Sequence, residues 1–432
     1  MFELTKNIKI KNTIFKKGDV IVPLAQPFRA FIKEVLEKQV FPARHYTPGG
    51  EMIKPYDITS WSLPLHKGVH VFEINENPEV FQGNFSEVKL PYSLYNPAIN
   101  DYNSVILSAQ NNNSYKAAFK ALEIGLNVRQ LQEPYLDYPI GSFVIDKSKN
   151  INQVLDEINF TPAYVNQKIN LKTRELKLPR IYLLETYFHA MDAGWTRFIF
   201  DSYHIPFKTI KPTDVKSIDF EKNCDVLIIP DESKSALISG NYNSDGSRYF
   251  LKYPPEYMKG MEQKGFEKIL RFINNGGKVV AWREATELFS GVQNYSINDK
   301  EKEEFEFPVK DVSKQLVKDG FSSPGSLLRI KLKADHPITY GMPDEIGVFH
   351  RSGPVFRTWQ PYFDVDRRVI ATFPEKDILL SGFIENEEKI GNKTSIVWMK
   401  KGKGEIVLFS FNPQFRASTP VSYKLLFNSL FL

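Results

Sequence analysis

A chain of 432 residues exceeds what one hydrophobic core usually serves, so two or three domains are expected. Its formal charge is only +5, with lysines alternating with glutamates as in KEVLEKQ and NDKEKEEFEF, which excludes the concentrated basic stripe of a nucleic-acid binder. One cysteine, Cys224, excludes an intramolecular disulfide framework and a Cys-rich metal site, and no apolar run approaches the roughly 18 residues of a membrane span.

From the amino end, MFELTKNIKIKNTIF alternates like strand and lacks the continuous apolar stretch of a signal peptide. After the polar turn KKGD and a short strand VIVPL, the run PFRAFIKEVLEKQ predicts an amphipathic docking helix. Phe28, Phe31, Ile32, Val35 and Leu36 recur at three- and four-residue spacing, and Lys33, Glu34, Glu37 and Lys38 cover the other side. Pro48-Gly49-Gly50 closes that segment. From Asn103, SVILSA reads as a strand, NNNS as turn and N-cap, YKAAFKALEIGLNV as a helix and PIGSFVID as a returning strand. The polar stretch from Lys147 to Lys177 reads as a connector.

After Pro179 strands and helices alternate: RIYLLE, MDAGWTRFIFDSYH, DVLIIPD, EYMKGMEQKGFEKILRFINN, KVVAW. Short apolar strands separated by helices predict a parallel sheet covered on both faces, with Asn275-Gly276-Gly277 stopping the long helix. From Leu327 the chain is mostly strand (LLRIKLK, VIATF, ILLSGFI, TSIVWM, GEIVLFSF) before a closing helix YKLLFNSLF, and KKGKGE reads as a hairpin turn. The expected organisation is an α+β region over 1–100, a small strand-helix-strand module over 101–150, a connector over 151–178 and an α/β domain over 179–432. Cys224, at the mouth of an apolar run, reads as a small buried hydrophobe, and Trp195, Trp282, Trp359 and Trp398 as core. Trp61 is placed to dock a neighbouring domain.

Several strings together resemble the back part of bacterial zinc-carboxypeptidase-like proteins. They are VPLAQPFRAFIKEVLEKQ (Val22–Gln39), KPYDITSWSLPL (Lys54–Leu65), MDAGWTRFIFDSYHIPF (Met191–Phe207), DVLIIPD (Asp225–Asp231), PPEYMKG, NNGGKVVAW, SPGSLLRI, HPITYGMPDE and FSFNPQFRAST. They span almost the whole chain in the order that family shows, without its metal-binding front part. The resemblance implies a flavodoxin-like sandwich of the class I glutamine-amidotransferase type for Pro179–Leu432. It also implies a partner, the zinc carboxypeptidase domain, held through Val22–Gln39, with zinc expected only in that absent domain. Family members are generally exported, so a periplasmic or extracellular location is what the resemblance implies, and a cytoplasmic one stays open.

The string His66-Lys-Gly-Val-His70-Val-Phe-Glu73 imitates the family's H-x-x-E, with His189 and His204 as further ligand candidates. Read as a strand, VHVFEIN sends His70 and Glu73 to opposite faces, and His66 and His70 stand about 13 Å apart, too far to share zinc. No metal site is therefore expected. Working amidotransferases place a cysteine on a tight turn after a central strand and a histidine farther on, whereas here KVVAW runs into Arg283-Glu284-Ala285 and the later strand into FSFNPQFR. No catalytic residue is assigned. What remains at the expected strand ends is polar: Asp192, Trp195 and Arg197 on the first helix, Asp231, Arg283 and Glu284, and Asn412, Gln414 and Arg416. A ligand site and a structural network closing a vestigial pocket are both open readings.

The function expected is a non-catalytic accessory scaffold that helps present peptide substrates. The alternatives are a peptidase acting with a catalytic domain outside this chain, and a small-molecule sensor.

Overall fold

A computed structural model describes residues 1–88, 101–166, 172–188, 190–242, 254–298, 301–361 and 365–432. The amino-terminal part holds β1 (Phe2–Leu4), β2 (Ile8–Ile10), β3 (Thr13–Phe15), β4 (Val20–Ile21), α1 (Arg29–Leu36), α2 (Leu63–Lys67) and β5 (Phe85–Glu87). What reads as one strand, IKIKNTIF, is a tight hairpin of β2 against β3, because Lys11 takes a left-handed turn conformation (φ 51°). β1 lies between β4 and β5, and Leu4, Ile8 and Ile10 form a small core of their own.

α1 is shorter than its periodic run, and none of its residues is buried. Phe28 and Phe31 are 68% and 65% exposed, while Ile32, Val35 and Leu36 are half-covered. Its apolar stripe is thus left largely open. Trp61 meets the polar side of α1 instead, its indole donating to Glu34 Oε1 at 3.0 Å. The segment that follows α1 is pinned to the rest of the molecule by polar contacts: Gln39 N–H donates to Ser381 Oγ at 3.0 Å, Gly382 N–H to the Gln39 carbonyl at 2.8 Å, and Thr59 Oγ1 to the Gly325 carbonyl at 2.8 Å. VHVFEIN forms no strand, which corrects the geometry expected for it.

The second part comprises β6 (Ser104–Leu107), α3 (Asn112–Glu123), β7 (Val128–Leu131), β8 (Phe143–Asp146), α4 (Asn152–Leu155), β9 (Ala163–Val165) and β10 (Thr173–Glu175). They make an antiparallel sheet in the order β10-β7-β8-β6-β9. The strand-helix-strand module and most of its supposed connector are therefore one unit. β9 and β10 are three residues each and border residues 167–171, so their periodicity is too short to register.

The third part runs through β11 (Ile181–Leu184), α5 (Met191–Ser202), β12 (Phe207–Ile210), α6 (Phe220–Asn223), β13 (Val226–Ile229), α7 (Lys234–Ser239), α8 (Glu262–Asn274), β14 (Lys278–Trp282), β15 (Gly291–Asn298), β16 (Glu301–Phe307), β17 (Val309–Asp311), α9 (Ser313–Lys318), β18 (Ser326–Leu332), β19 (Glu345–His350), β20 (Phe356–Thr358), β21 (Val365–Thr372), β22 (Leu379–Ser381), β23 (Thr394–Lys401), β24 (Gly404–Phe409) and α10 (Tyr423–Leu430). One mixed sheet dominates, in the order β12-β11-β13-β14-β24-β23-β21-β18-β19. The first five strands are parallel and the rest antiparallel, with the change of direction at the β23–β24 hairpin, where Gly402 (φ 57°) makes the turn read in KKGKGE.

Alternate residues of the parallel strands feed two cores. Ile181, Leu183, Val226, Ile228, Val280, Val407 and Phe409 face one side with α5, α10 and α3, and Tyr182, Leu184, Leu227, Ile229, Val279, Ile406 and Leu408 face the other with α8. That is the two-residue period of a strand covered on both faces. Every residue of α10 is buried. Phe431, just beyond it, stacks on Phe119 of α3 with ring centroids 4.6 Å apart, and Asn428 accepts from the Tyr115 hydroxyl at 2.8 Å while donating to the carbonyls of Ile338 and Tyr340. The antiparallel unit is thereby fused to the large sheet through one continuous core. Gly341 (φ 69°) lets the chain pass against Ala109, where a Cβ would stand 2.1 Å from the Ala109 carbonyl oxygen.

Candidate functional site

The parallel strands end together, and the loops leaving β11 and β13 go to helices on opposite faces, α5 and α7. Open parallel sheets bind ligands at the carboxyl ends of the strands beside such a reversal. Asp192 lies there, in the first turn of α5.

Its carboxylate is a hub. The indole N–H of Trp282, the last residue of β14, donates to Oδ2, and the Asp231 amide reaches the same oxygen at 3.4 Å. Asn412 Nδ2 and Gln414 Nε2 donate to Oδ1 at 2.7 and 3.0 Å. Gln414 also donates to the Asp192 carbonyl at 3.3 Å. The start of α5 is thus tied to the ends of β13, β14 and β24 through one side chain. Burial, and then the Asp231 charge, push the Asp192 carboxyl up to about 6 against the pull of its donors.

Beside it, Asp231 follows β13. Arg283 Nε lies 3.1 Å from Asp231 Oδ2, an ion pair by distance with no hydrogen bond along Nε–H, and the Glu284 amide donates to Asp231 Oδ1 at 3.2 Å. Burial raises the Asp231 carboxyl, opposed by the Arg283 charge. Arg283 itself has φ 51°, a strained backbone for a side chain larger than glycine, at the turn that leaves β14. Glu232 accepts from Thr186 Oγ1 at 3.0 Å and from the Ser233 amide at 2.9 Å, and burial pushes its carboxyl up to about 7.

Of the residues expected here, Asp192, Asp231, Arg283, Glu284, Asn412 and Gln414 are brought together. Trp195 instead packs edge-on against Phe198, Arg197 turns to Glu185 at 3.6 Å, and exposed Arg416 stands over the Phe415 ring. Those three lie outside the network. Of the four tryptophans expected in the core, Trp282 and Trp398 are buried, while Trp195 and Trp359 are half-exposed. Sequence reasoning missed Trp282 as a donor and Glu232, although both are immediate neighbours of residues it did select. It also missed His350, the last residue of β19, fully buried between the rings of Phe321 and Phe373. Burial, and then the Arg283 charge, push that imidazole down to about 4.

Cys224 stands at the opposite end of the sheet, just before β13, and burial pushes its thiol up to about 12. The histidines of the metal-like string are scattered. His66 is buried in α2 against Phe349, His70 is exposed, and His204 Nε2 lies 3.1 Å from Glu157, while His189 lies outside the described residues. Among the described residues there is no group of three or more His, Cys, Asp or Glu that could hold a metal ion. No helix among them is long and apolar enough to cross a membrane.

The raised Asp192 carboxyl makes a pH prediction. Its ordinary value is 3.8, so the folded state holds the proton more tightly, and the resulting stability is complete below about pH 4 and is lost as pH rises through about 6. The stability of the wild type minus that of Asp192→Asn, from urea unfolding across this range, is expected to fall as pH rises. A difference that rises with pH would show that the donors, not burial, control the group.

No family model matches the chain, and no curated protein matches it. Among solved structures, a protein assigned as ThuA-like from Bacteroides uniformis is similar over 58% of this chain and 89% of its own, with 12% identity and a TM-score of 0.31. A cytoplasmic protein from Salmonella typhimurium matches over 59% and 98%, with 14% identity and a TM-score of 0.32. A protein assigned as a subunit of GMP synthase, from Thermoplasma acidophilum, matches over 59% and 92%, with 10% identity and a TM-score of 0.33. Likenesses this distant carry no argument about activity, and the chain itself is an α/β protein built on a large mixed sheet.

Proposed function

We propose that this chain is a non-catalytic accessory scaffold whose third part is a flavodoxin-like, glutamine-amidotransferase-type sandwich without hydrolytic chemistry. The strand order of its parallel half, 2-1-3-4-5 when counted by appearance, supports the flavodoxin-like reading. One observation carries the loss of chemistry. The turn after β14, where a working amidotransferase would present its thiol, holds Arg283 paired with Asp231, and the single cysteine lies at the far end of the sheet. A nucleophile needs a base within hydrogen-bond reach and an approach for substrate. The Asp192 hub offers neither, because its oxygens are occupied by fixed donors.

The scaffold reading gives the open stripe of α1 its role, contact with a catalytic domain of the zinc carboxypeptidase type, the partner class that the sequence resemblance suggests. The purified chain, assayed for ammonia release from glutamine and for carboxypeptidase cleavage of a blocked dipeptide with zinc present, is expected to turn over neither. Turnover abolished by Asp192→Asn would sink the proposal. Phe31→Asp is expected to leave unfolding stability within about 0.5 kcal/mol of wild type, since the ring is exposed, while weakening association with such a domain.

A further inference from the structure

The parallel sheet has a second end, where β11, β13 and β14 begin. A cavity of about 540 Å³ opens there, walled on one side by the apolar residues Leu430 to Leu432 and on another by the Asn275–Lys278 turn. Four cationic side chains line it: Arg174, Lys177, Arg180 and Lys278. Three acidic ones do too, but two are committed elsewhere. Asp225 is gripped by Arg180, whose Nε and Nη2 donate at 2.9 and 2.6 Å, and Glu221 accepts from Asn275 Nδ2 at 2.5 Å. Glu175, the third, is exposed. The last carbonyls of α8 are also taken, by the amides of Asn275, Gly276 and Gly277.

Arg174 and Lys278 are left over. Arg174 spends Nη2 on Gln130 Oε1 at 2.8 Å, yet its buried Nε–H has no acceptor. Lys278 is half-buried, and no hydrogen bond or ion pair of its ammonium occurs among the described residues. The nearest compensating charge is Glu405 on the adjacent strand, whose carboxylate is already engaged by the Trp398 indole at 2.6 Å. Burial depresses the Lys278 ammonium, opposed by the attraction of Glu405, while the smaller repulsion of Arg174 adds to the depression and Asp225 offsets part of it. Two partly dehydrated cations that line one cavity and share the attraction of a single carboxylate, Glu405, leave positive charge that a bound anion would neutralise.

We propose that this cavity binds a small molecule through an oxyanion, phosphate or carboxylate, held between Arg174 and Lys278. Charge-assisted hydrogen bonds from a planar guanidinium and a mobile ammonium suit either group. The volume exceeds what one phosphate fills, so the ligand carries an apolar or polar body against the Leu430 to Leu432 wall. The site is separate from the strand-end network and does not depend on the scaffold reading.

Calorimetric titration of the full chain with inorganic phosphate, and separately with succinate, at matched ionic strength, tests this. One-to-one binding of at least one of them is expected, with the responding anion identifying the group recognised. Arg174→Gln and Lys278→Met should each raise Kd about tenfold or more, and Lys278→Arg should retain most of the affinity. Should Lys278→Met fail to fold, protection of Lys278 from reductive methylation by the same anions in the wild-type chain, read by peptide mass spectrometry, replaces it. Absence of binding by both anions, Kd values unmoved by the variants, or equal methylation with and without anion would each overturn the assignment.

Discussion

Asp192→Ala is expected to cost about 3 kcal/mol of unfolding free energy at neutral pH. Truncation strands the Trp282 indole and the Asn412 and Gln414 amides, all buried, and an unsatisfied buried donor costs roughly 2 kcal/mol. Relief of the buried charge offsets about half of that, because a carboxyl held up to about 6 ionises at a penalty of about 3 kcal/mol. Asp192→Asn, which keeps one carbonyl for Asn412 and Gln414 but turns an amide toward Trp282, should fall between the two. Urea unfolding measures all three. Equal stability of wild type and Asp192→Ala would mean that the hub does not hold α5 to the sheet.

Arg283→Ala should be more damaging, by about 4 kcal/mol, because it leaves Asp231 buried without its cation. The backbone at this position separates charge from strain. At φ 51° a glycine is relaxed where alanine is not, so Arg283→Gly should be about 1 kcal/mol more stable than Arg283→Ala, although both lose the ion pair. Arg283→Lys should recover most of the loss. If Ala and Lys variants unfold at the same denaturant concentration, the Asp231 pair contributes nothing and the arginine serves another purpose.

The α/β class was legible because RIYLLE, DVLIIPD and KVVAW are short apolar runs that glycine and proline punctuate, and each became a buried parallel strand. Pieces whose stability comes from partners rather than from their own pattern were not. β12 reads as an unremarkable PFKTI, and β9 and β10 acquire their identity only by pairing with β6 and β7. In the site, six of the nine candidate residues converge in one network. Trp195, Arg197 and Arg416 were misplaced because helical rotation and a left-handed kink at Arg416 (φ 47°) decide where a side chain points, and neither is written in spacing. His350 escaped because its strand joins the sheet at the opposite edge, a long-range pairing that local periodicity does not encode.

The place of β24 has a kinetic meaning. It sits in the middle of the large sheet, joining β14 to β23, and α10 follows to plug the core shared with the antiparallel unit. A nascent chain still lacking these segments presents two unfinished half-sheets with bare edges and uncovered phenylalanines, the kind of surface that chaperones shield. Final consolidation must wait until translation has passed Leu430.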